Sequence, residues 1–320
     1  MFAVVTLYSA NTAKLAIGNA GWFQLWADFA QPFRMPDFFL LSGLFLSRVI
    51  ERPLRRYLDK KVMHYAYFFV LWSLINTGLL YVTGERHGGL LAFAKEFWAS
   101  ITFWPFEMLW FIQMLPAYFL LTRLIRRVPV YVVFPIVAAL QVFPLFHTER
   151  VLIDEFWDRY VYFYAGYAFA PFFFRFAADV QKYLFLSLCG FSAWIVTNGA
   201  AVWLGYSKKP GLALGLAFLG AIAVIASGAL AEKLRFAGWL RYLGRHSIVV
   251  YLAFYWPMKL AAVALLPVGF FRAHPTLFAA SISAVGILSP VVLHRLINWR
   301  TKDRWLFARP AWATLERATP

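Results

Sequence analysis

Long hydrophobic runs separated by short polar segments extend along the whole chain. A helix that crosses a bilayer needs about 20 apolar residues, and runs of this kind lie at 29–50, 62–83, 107–125, 129–146, 157–174, 183–205, 211–231, 246–266 and 276–297. Residues 1–10 resemble the outer half of one more helix, because ten residues reach only about 15 Å, half of the hydrocarbon core. We therefore predict an all-α polytopic membrane helix bundle of about ten transmembrane helices. The first helix is expected to be incomplete and to be completed by a longer native N-terminus.

Residues 88–106 form another apolar segment that needs a separate interpretation. A membrane crossing would place Lys95 and Glu96 near the middle of the bilayer, at a cost of several kcal/mol. It would also move every later loop to the opposite side. An amphipathic helix lying in the outer interface, with Trp98 and Trp104 among its anchors, is the better prediction.

The distribution of charge predicts the orientation of the bundle. Hydrophobic residues make up 62% of the chain and charged residues 14%, whereas soluble domains are closer to half apolar and a quarter charged. The net charge of +16 is also typical of nucleic-acid-binding proteins, but Lys and Arg occur in short clusters between the apolar runs. If 51–61 is cytoplasmic, most basic residues fall on the cytoplasmic side. The positive-inside rule then places both termini there, and no nucleic-acid partner is expected.

Two further features concern bound groups and lipids. The single cysteine, Cys189, and the absence of any Cys and His spacing typical of zinc sites predict neither a metal nor a bound cofactor. The basic segment 295–317 is predicted to be a cytoplasmic tail lying on anionic lipid headgroups.

Four stretches resemble the acyltransferase-3 family of integral membrane acyltransferases. They are PFRMPDFFLLSGLFLS at 32–47, MLWFIQMLPAYFLLTRL at 108–124, YVYFYAGYAFAP at 160–171 and LGRHSIVVYLAFYWPM at 243–258. The resemblance covers essentially the whole chain, so residues 1–320 are expected to form a single domain. It implies ten helices with both termini cytoplasmic, in a bacterial cytoplasmic (inner) membrane. It also implies transfer of a short acyl group from cytoplasmic acyl-CoA, the co-substrate, to a hydroxyl of a cell-surface or periplasmic carbohydrate.

The resemblance also identifies candidate catalytic residues. The family's first helix carries a basic residue and, eleven positions later, a histidine proposed as the catalytic base. That histidine position falls at Tyr8 here, and the basic partner would precede Met1. Arg34 and Asp37 lie three residues apart on one face of an apolar segment, where charges normally face the bundle interior. They form either a mutual salt bridge or a site in which Arg34 binds the acyl carbonyl or a CoA phosphate.

Candidate substrate-binding residues lie at both ends of the predicted helices. A cytoplasmic cluster is suited to the phosphates of CoA, although membrane topology and anionic lipid also explain it. Glu107 and Trp110, at the outer end of a span, are candidates for contacting the glycan acceptor, although Trp there is typically a headgroup anchor. Ser42 and Gly43 are better explained as a small-residue helix-packing contact than as a nucleophile motif. The cluster consists of Arg55, Arg56, Lys60, Lys61 and His64.

Two other classes of function stay open. A transporter or flippase for a lipid-linked or acyl substrate would use the intramembrane charges Arg34, Asp37 and Lys259 equally well, although the chain shows no inverted repeat of the kind many transporters have. A non-catalytic scaffold in polysaccharide assembly is the third hypothesis.

Overall fold

The computed structural model describes residues 1–143, 151–233, 237–300 and 305–315. Within these ranges every regular element is helical and no strand occurs, which confirms the all-α prediction. The α-helices are α1 Phe2–Ile17, α2 Trp22–Ala30, α3 Arg34–Leu44, α4 Leu54–Leu58, α5 His64–Val82, α6 Leu90–Thr102, α7 Trp110–Ile125, α8 Val130–Val142, α9 Val151–Ala168, α10 Ala170–Lys182, α11 Leu184–Trp203, α12 Leu212–Lys233, α13 Ala237–Arg245, α14 Ser247–Ala253, α15 Tyr255–Leu265, α16 Gly269–Ala273 and α17 Pro275–Arg300. A π-helical segment, Asp59–Met63, joins α4 to α5, and short 3₁₀ turns occupy Glu107–Leu109, Tyr206–Lys208 and Ala311–Ala313.

The chain forms two compact units. Unit 1 contains residues 1–40 and 169–300, and unit 2 contains residues 41–168 and 301–320. In unit 1, α17 packs against α1 and α15, and α10 packs against α12. In unit 2, α5 packs against α6 and α7, and α8 packs against α9. The expectation of a single domain over 1–320 stays a prediction.

Several helices of the described part are long and apolar enough to cross a membrane. They are Leu54–Val82, Leu90–Ile125, Leu184–Trp203, Leu212–Lys233 and Pro275–Ile297, with the bent pair α14 and α15 as a further candidate. These helices coincide with the runs predicted at 62–83, 107–125, 183–205, 211–231, 246–266 and 276–297. The predicted spans 29–50, 129–146 and 157–174 contain shorter or interrupted helices, and 144–150 lies outside the described residues. The total of ten crossings, the interfacial position of 88–106 and the sidedness of the termini therefore stay predictions.

The first helix is longer than the sequence pattern indicated. α1 has 16 residues, about 24 Å at the rise of an α-helix, so the expectation of a helix limited to 1–10 was wrong. Lys14 lies in the last turn of this helix, where a positive charge is favourable. The helix ends at Gly18, whose φ of +84° and N–H bond to the Lys14 carbonyl oxygen form a left-handed cap.

Proline interrupts three helices that were predicted to be continuous. A proline lacks the N–H that continues the hydrogen-bond ladder, and its ring clashes with the carbonyl four residues earlier. Pro257 accounts for the 54° bend between α14 and α15, because that carbonyl belongs to Ala253, the last residue of α14. Pro171 similarly separates α9 from α10, and Pro32 lies in the turn between α2 and α3. The predicted spans 246–266, 157–174 and 29–50 are therefore not single straight helices.

Residues 51–61 are more helical than the loop that the charges suggested. The helix begins at Leu54 and continues through the π-helical segment into α5. Pro53 directly precedes the first helical residue, a position where the missing N–H costs nothing. Arg and Lys are good helix formers, so the basic residues here continue the helix instead of ending it.

Gly43 lies at a close contact between α3 and α9. A Cβ built on Gly43 would lie 1.9 Å from the Phe163 carbonyl oxygen and 3.1 Å from the Tyr167 amide nitrogen. The neighbours are backbone atoms of α9, which cannot rotate away. The interpretation of Gly43 as a helix-packing residue is confirmed.

Gly43→Ala is expected to destabilise unit 2 by about 1–3 kcal/mol or more, because the added methyl group forces α3 and α9 apart. The midpoint of thermal unfolding in detergent measures this loss. Gly78→Ala is the matched control, since Gly78 lies within α5 of the same unit and a Cβ there meets nothing within 4 Å. Alanine at position 78 should be neutral or stabilising. Equal effects of the two substitutions would contradict the packing role of Gly43.

Candidate functional site

Asp37 is a buried carboxylate in the first turn of α3. Asp37 is only 8% exposed. Its Oδ1 has no hydrogen-bond partner among the described residues. A buried carboxylate oxygen without a partner is costly and is available to accept a proton or a hydrogen bond from a ligand.

Arg34 does not form the salt bridge with Asp37 that was one of its two interpretations. Arg34 Nη1 donates to the Ala27 carbonyl oxygen at 3.3 Å, and the ion pairs of the described residues do not include one between Arg34 and Asp37. Long side chains at the start of a helix point back toward its N-terminus, which directs Arg34 onto α2. The salt-bridge interpretation was therefore wrong.

Tyr8 lies half-buried on α1, against the break between α14 and α15. Its ring centroid is 5.4 Å from that of Phe254, the residue at the break, and 6.3 Å from that of Tyr255, both edge-to-face. On the next position of α1, Ser9 accepts a buried 2.8 Å hydrogen bond from Ser283 of α17. Tyr8 thus packs against the break between α14 and α15, while its neighbour Ser9 links α1 to α17. Its equivalence to the family histidine stays a prediction.

Lys259 lies one turn further along α15. Its ammonium is 5.6 Å from the ring centroid of Tyr255 and 5.4 Å from that of Trp256. Such cation–π contacts stabilise a lysine in apolar surroundings.

The basic cluster lies on one continuous helical segment of unit 2. Lys60 and Lys61 are part of the π-helical segment, a feature that is frequent at functional sites. Lys60 is exposed, whereas the ammonium of Lys61 lies 4.8 Å from the centroid of the Phe119 ring. His64 packs edge-to-face on Tyr65 and Phe68. The predicted phosphate-binding residues thus share one helical segment, and their binding of phosphate stays a prediction.

Arg123 of α7 is a further cation beside this cluster. Its Nη1 and Nη2 donate to the carbonyl oxygens of Ile50 and Arg52, at 2.6 and 2.9 Å. Its guanidinium lies 4.4 Å from the centroid of the Tyr57 ring. Arg123 thus holds the turn that precedes α4. The sequence pattern does not indicate this role of Arg123, because Arg123 comes from a different helix.

Asp59 and Arg309 form a buried ion pair that the sequence pattern does not indicate. Arg309 Nη2 lies 2.6 Å from Asp59 Oδ2, with side chains 5% and 1% exposed. Arg309 Nη1 also donates to the Asp59 carbonyl oxygen at 2.8 Å. The only sequence signal is that Asp59 is the one acidic residue in the run RPLRRYLDKK at 52–61. Nothing in the sequence indicates a partner 250 positions away.

Residues 305–315, here called the C-terminal strap, pack on the protein. Tyr67 donates to the Trp305 carbonyl oxygen at 2.9 Å, and Trp72 Nε1 donates to that of Leu306 at 3.3 Å. The Trp72 and Phe307 rings are 5.7 Å apart. Within 295–317, α17 continues to Arg300 and the strap packs on unit 2, and the contact of this segment with lipid headgroups stays a prediction. Residues 301–304 and 316–317 lie outside the described residues.

Glu107 and Trp110 mark the entry into α7. Glu107 is exposed and has a φ of +37°, a backbone conformation that costs a non-glycine residue of the order of 1–3 kcal/mol and is often found at ligand sites. Trp110 is half-buried at the first position of α7. Their contact with an acceptor stays a prediction.

Comparison with known proteins decides the family. The model of the acyltransferase-3 family, described as an acyltransferase domain, matches residues 3–295. The chain belongs to the acyltransferase-3 family. Membership, together with the apolar helices, supports an integral membrane protein and a membrane acyltransferase in general terms. Neither a curated protein nor a solved structure gives a significant match. The C-terminal strap lies beyond the matched range.

Proposed function

We propose that this acyltransferase-3 protein transfers a short acyl group from cytoplasmic acyl-CoA to a hydroxyl of a cell-surface or periplasmic carbohydrate. The observation that carries the proposal is the family match over residues 3–295. The basic cluster on the π-helical segment supports the donor assignment, because clustered cations are the usual ligands of phosphate groups. The bacterial inner membrane is part of the same proposal.

The proposed reaction needs a group that accepts a proton. The acceptor oxygen forms a bond to the thioester carbonyl carbon, the carbon–sulfur bond breaks, and the hydroxyl proton must leave the oxygen. Asp37 is the proposed base, since its Oδ1 is buried and has no hydrogen-bond partner among the described residues. The proton then returns to the thiolate, so that CoA leaves as a thiol. Arg34 is proposed to orient the acyl carbonyl, which a guanidinium can do with two parallel N–H donors.

The test is an acyl-transfer assay with purified protein in lipid vesicles. Radiolabelled acetyl-CoA is supplied on one side and a glycan acceptor on the other, and label in the glycan is counted. Incorporation that requires the protein supports the proposal. If CoA is not released and no label leaves acetyl-CoA with any of several glycan acceptors, the protein is not an acyl-CoA-dependent transferase.

Tyr8→His is expected to raise the rate of acyl transfer in this assay. An imidazole accepts a proton near neutral pH far more readily than a phenol, so a histidine at position 8 would add a second proton acceptor to the one that Asp37 provides. Tyr255→His is the control, since it puts the same group on the neighbouring ring. If the rate is unchanged by Tyr8→His in correctly inserted protein, Tyr8 does not occupy the position of a catalytic base.

One observation favours the transporter hypothesis as a second candidate. The 54° break between α14 and α15 resembles the discontinuous helices that form substrate sites in transporters. The vesicle assay separates the two functions, because a transporter moves the intact acyl donor or lipid across the bilayer without forming an ester.

A further inference from the structure

The C-terminal strap follows the same helical segment that carries the basic cluster. Its contacts run from Arg55, which donates to the Leu315 carbonyl oxygen at 2.7 Å, to Trp72, a distance of about 25 Å along a helix. The strap is therefore part of the surface around Lys60 and Lys61. It lies outside residues 3–295, the range that the family match covers.

Both carboxylate oxygens of Asp59 are satisfied by the strap. Oδ2 pairs with Arg309, and Oδ1 accepts a 2.6 Å hydrogen bond from the Leu315 amide. Asp59 stands directly before Lys60 and Lys61 and is almost fully buried. A buried carboxylate without these partners would attract the nearest cations. Besides Arg309, the cation that interacts electrostatically with Asp59 is Lys60, one of the two lysines proposed to bind phosphate.

Arg309 is also close to the other charged groups of the cluster. Arg309, Lys60 and Lys61 all interact electrostatically with His64, as does Asp59. Arg309 therefore has two effects on the cluster. It brings a positive charge close to His64, and it neutralises the negative charge of Asp59.

We propose that the C-terminal strap completes the donor-binding site, with Arg309 as a positioning residue that neutralises Asp59 and leaves Lys60 and Lys61 available to the phosphates of the acyl donor. This inference rests on the proposed function, because it assigns a role in donor binding to the basic cluster. It adds roles for the strap, for Arg309 and for Asp59. The strap and Arg309 lie beyond residues 3–295, the range of the family match, and Asp59 lies within it. The strap stays docked while the donor binds.

Equilibrium binding of tritiated CoA to the purified protein tests the charge balance. Arg309→Gln is expected to weaken binding about threefold to tenfold, as expected for one added negative charge near the phosphates. Asp59→Asn breaks the same ion pair but removes a negative charge, so CoA should bind at least as tightly as to the unchanged protein. The double variant Asp59→Asn/Arg309→Gln should restore the original affinity. A purely structural ion pair would instead weaken binding in both single variants.

The matched control is Arg245→Gln, which removes an exposed arginine from α13 in unit 1. It should leave the affinity for CoA unchanged. If Arg309→Gln does not fold, Arg309→Lys provides a variant that keeps the positive charge. Arg309→Lys should bind CoA more tightly than variants in which an uncharged residue replaces Arg309 and the protein still folds. Dephospho-CoA, with one phosphate fewer, should bind more weakly and respond less to the Arg309 substitutions.

A cross-link tests whether the strap stays docked. The rings of Tyr67 and Trp312 are 6.2 Å apart, so Tyr67→Cys/Trp312→Cys on a Cys189→Ser background should react with a short bismaleimide. Cross-linked protein should bind CoA as well as uncross-linked protein does. Loss of binding on cross-linking would show that the strap is a lid that must open, and absence of cross-linking would show that it does not dock; either result overturns the inference.

The CoA-binding measurements distinguish a wrong role for the strap from a wrong proposed function. If the unchanged protein does not bind CoA, the donor assignment fails and the role of Arg309 fails with it. If the unchanged protein binds CoA but both single variants bind it equally well, the donor assignment survives and only the strap inference is overturned.

Discussion

Asp37→Asn is expected to lower the rate of acyl transfer about 10²–10⁴-fold, the usual contribution of a general base. An amide cannot accept the proton of the acceptor hydroxyl, although it has nearly the same shape. The substitution should not unfold the protein, because asparagine has nearly the same shape and the Asp37 Oδ1 has no hydrogen-bond partner among the described residues. The measurement is the rate of label transfer from acetyl-CoA at saturating donor, compared with the thermal unfolding midpoint of the same preparation.

Asp28→Asn is the control for this prediction. Asp28 lies on α2 of the same unit, is exposed, and accepts a 2.9 Å hydrogen bond from Gln24. Its replacement should leave the rate of transfer unchanged. A transfer rate within a factor of two of the original after Asp37→Asn would remove Asp37 from the reaction and would leave the carboxylate as a structural or ligand-positioning group.

Much of the fold can be predicted from the hydrophobic pattern alone. The runs at 183–205, 211–231 and 276–297 correspond to α11, α12 and α17, because an apolar run of bilayer length has no better conformation than a helix that satisfies its own backbone. The prolines in the sequence would also have allowed the breaks between helices to be predicted. Pro171 and Pro257 occur inside apolar runs, and their effect on the preceding turn follows from the geometry of proline. The hydrophobic pattern alone does not show these breaks, so each run was predicted to be one continuous helix.

The candidate site was less predictable, because its partners are distant in sequence. Charge spacing placed Arg34 and Asp37 on one face, but the direction of the Arg34 side chain depends on α2, a neighbouring helix. The basic cluster was readable because its members are adjacent in the chain. Asp59 was overlooked as one acidic residue among basic ones, and its burial depends on Arg309, which only the folded chain brings to it.

Arg309→Gln is expected to cost about 3–5 kcal/mol of stability, the range observed when one member of a buried ion pair is removed. The large size follows from burial, since the side chains of Arg309 and Asp59 are 5% and 1% exposed. Exposed pairs are worth far less, typically below about 1 kcal/mol. The free energy of unfolding in mixed detergent micelles, followed by Trp fluorescence, measures the difference.

The double variant Asp59→Asn/Arg309→Gln separates the ion pair from general packing. Removing both charges eliminates the uncompensated carboxylate, so the double variant should be more stable than Arg309→Gln alone. Arg86→Gln is the exposed comparison, because Arg86 pairs with Glu96 at 2.8 Å while its side chain is 62% exposed. Its cost should be about 1 kcal/mol or less. If Arg309→Gln costs no more than Arg86→Gln, the strap is held by its aromatic and backbone contacts to Tyr67 and Trp72, and the Asp59–Arg309 pair does not anchor it.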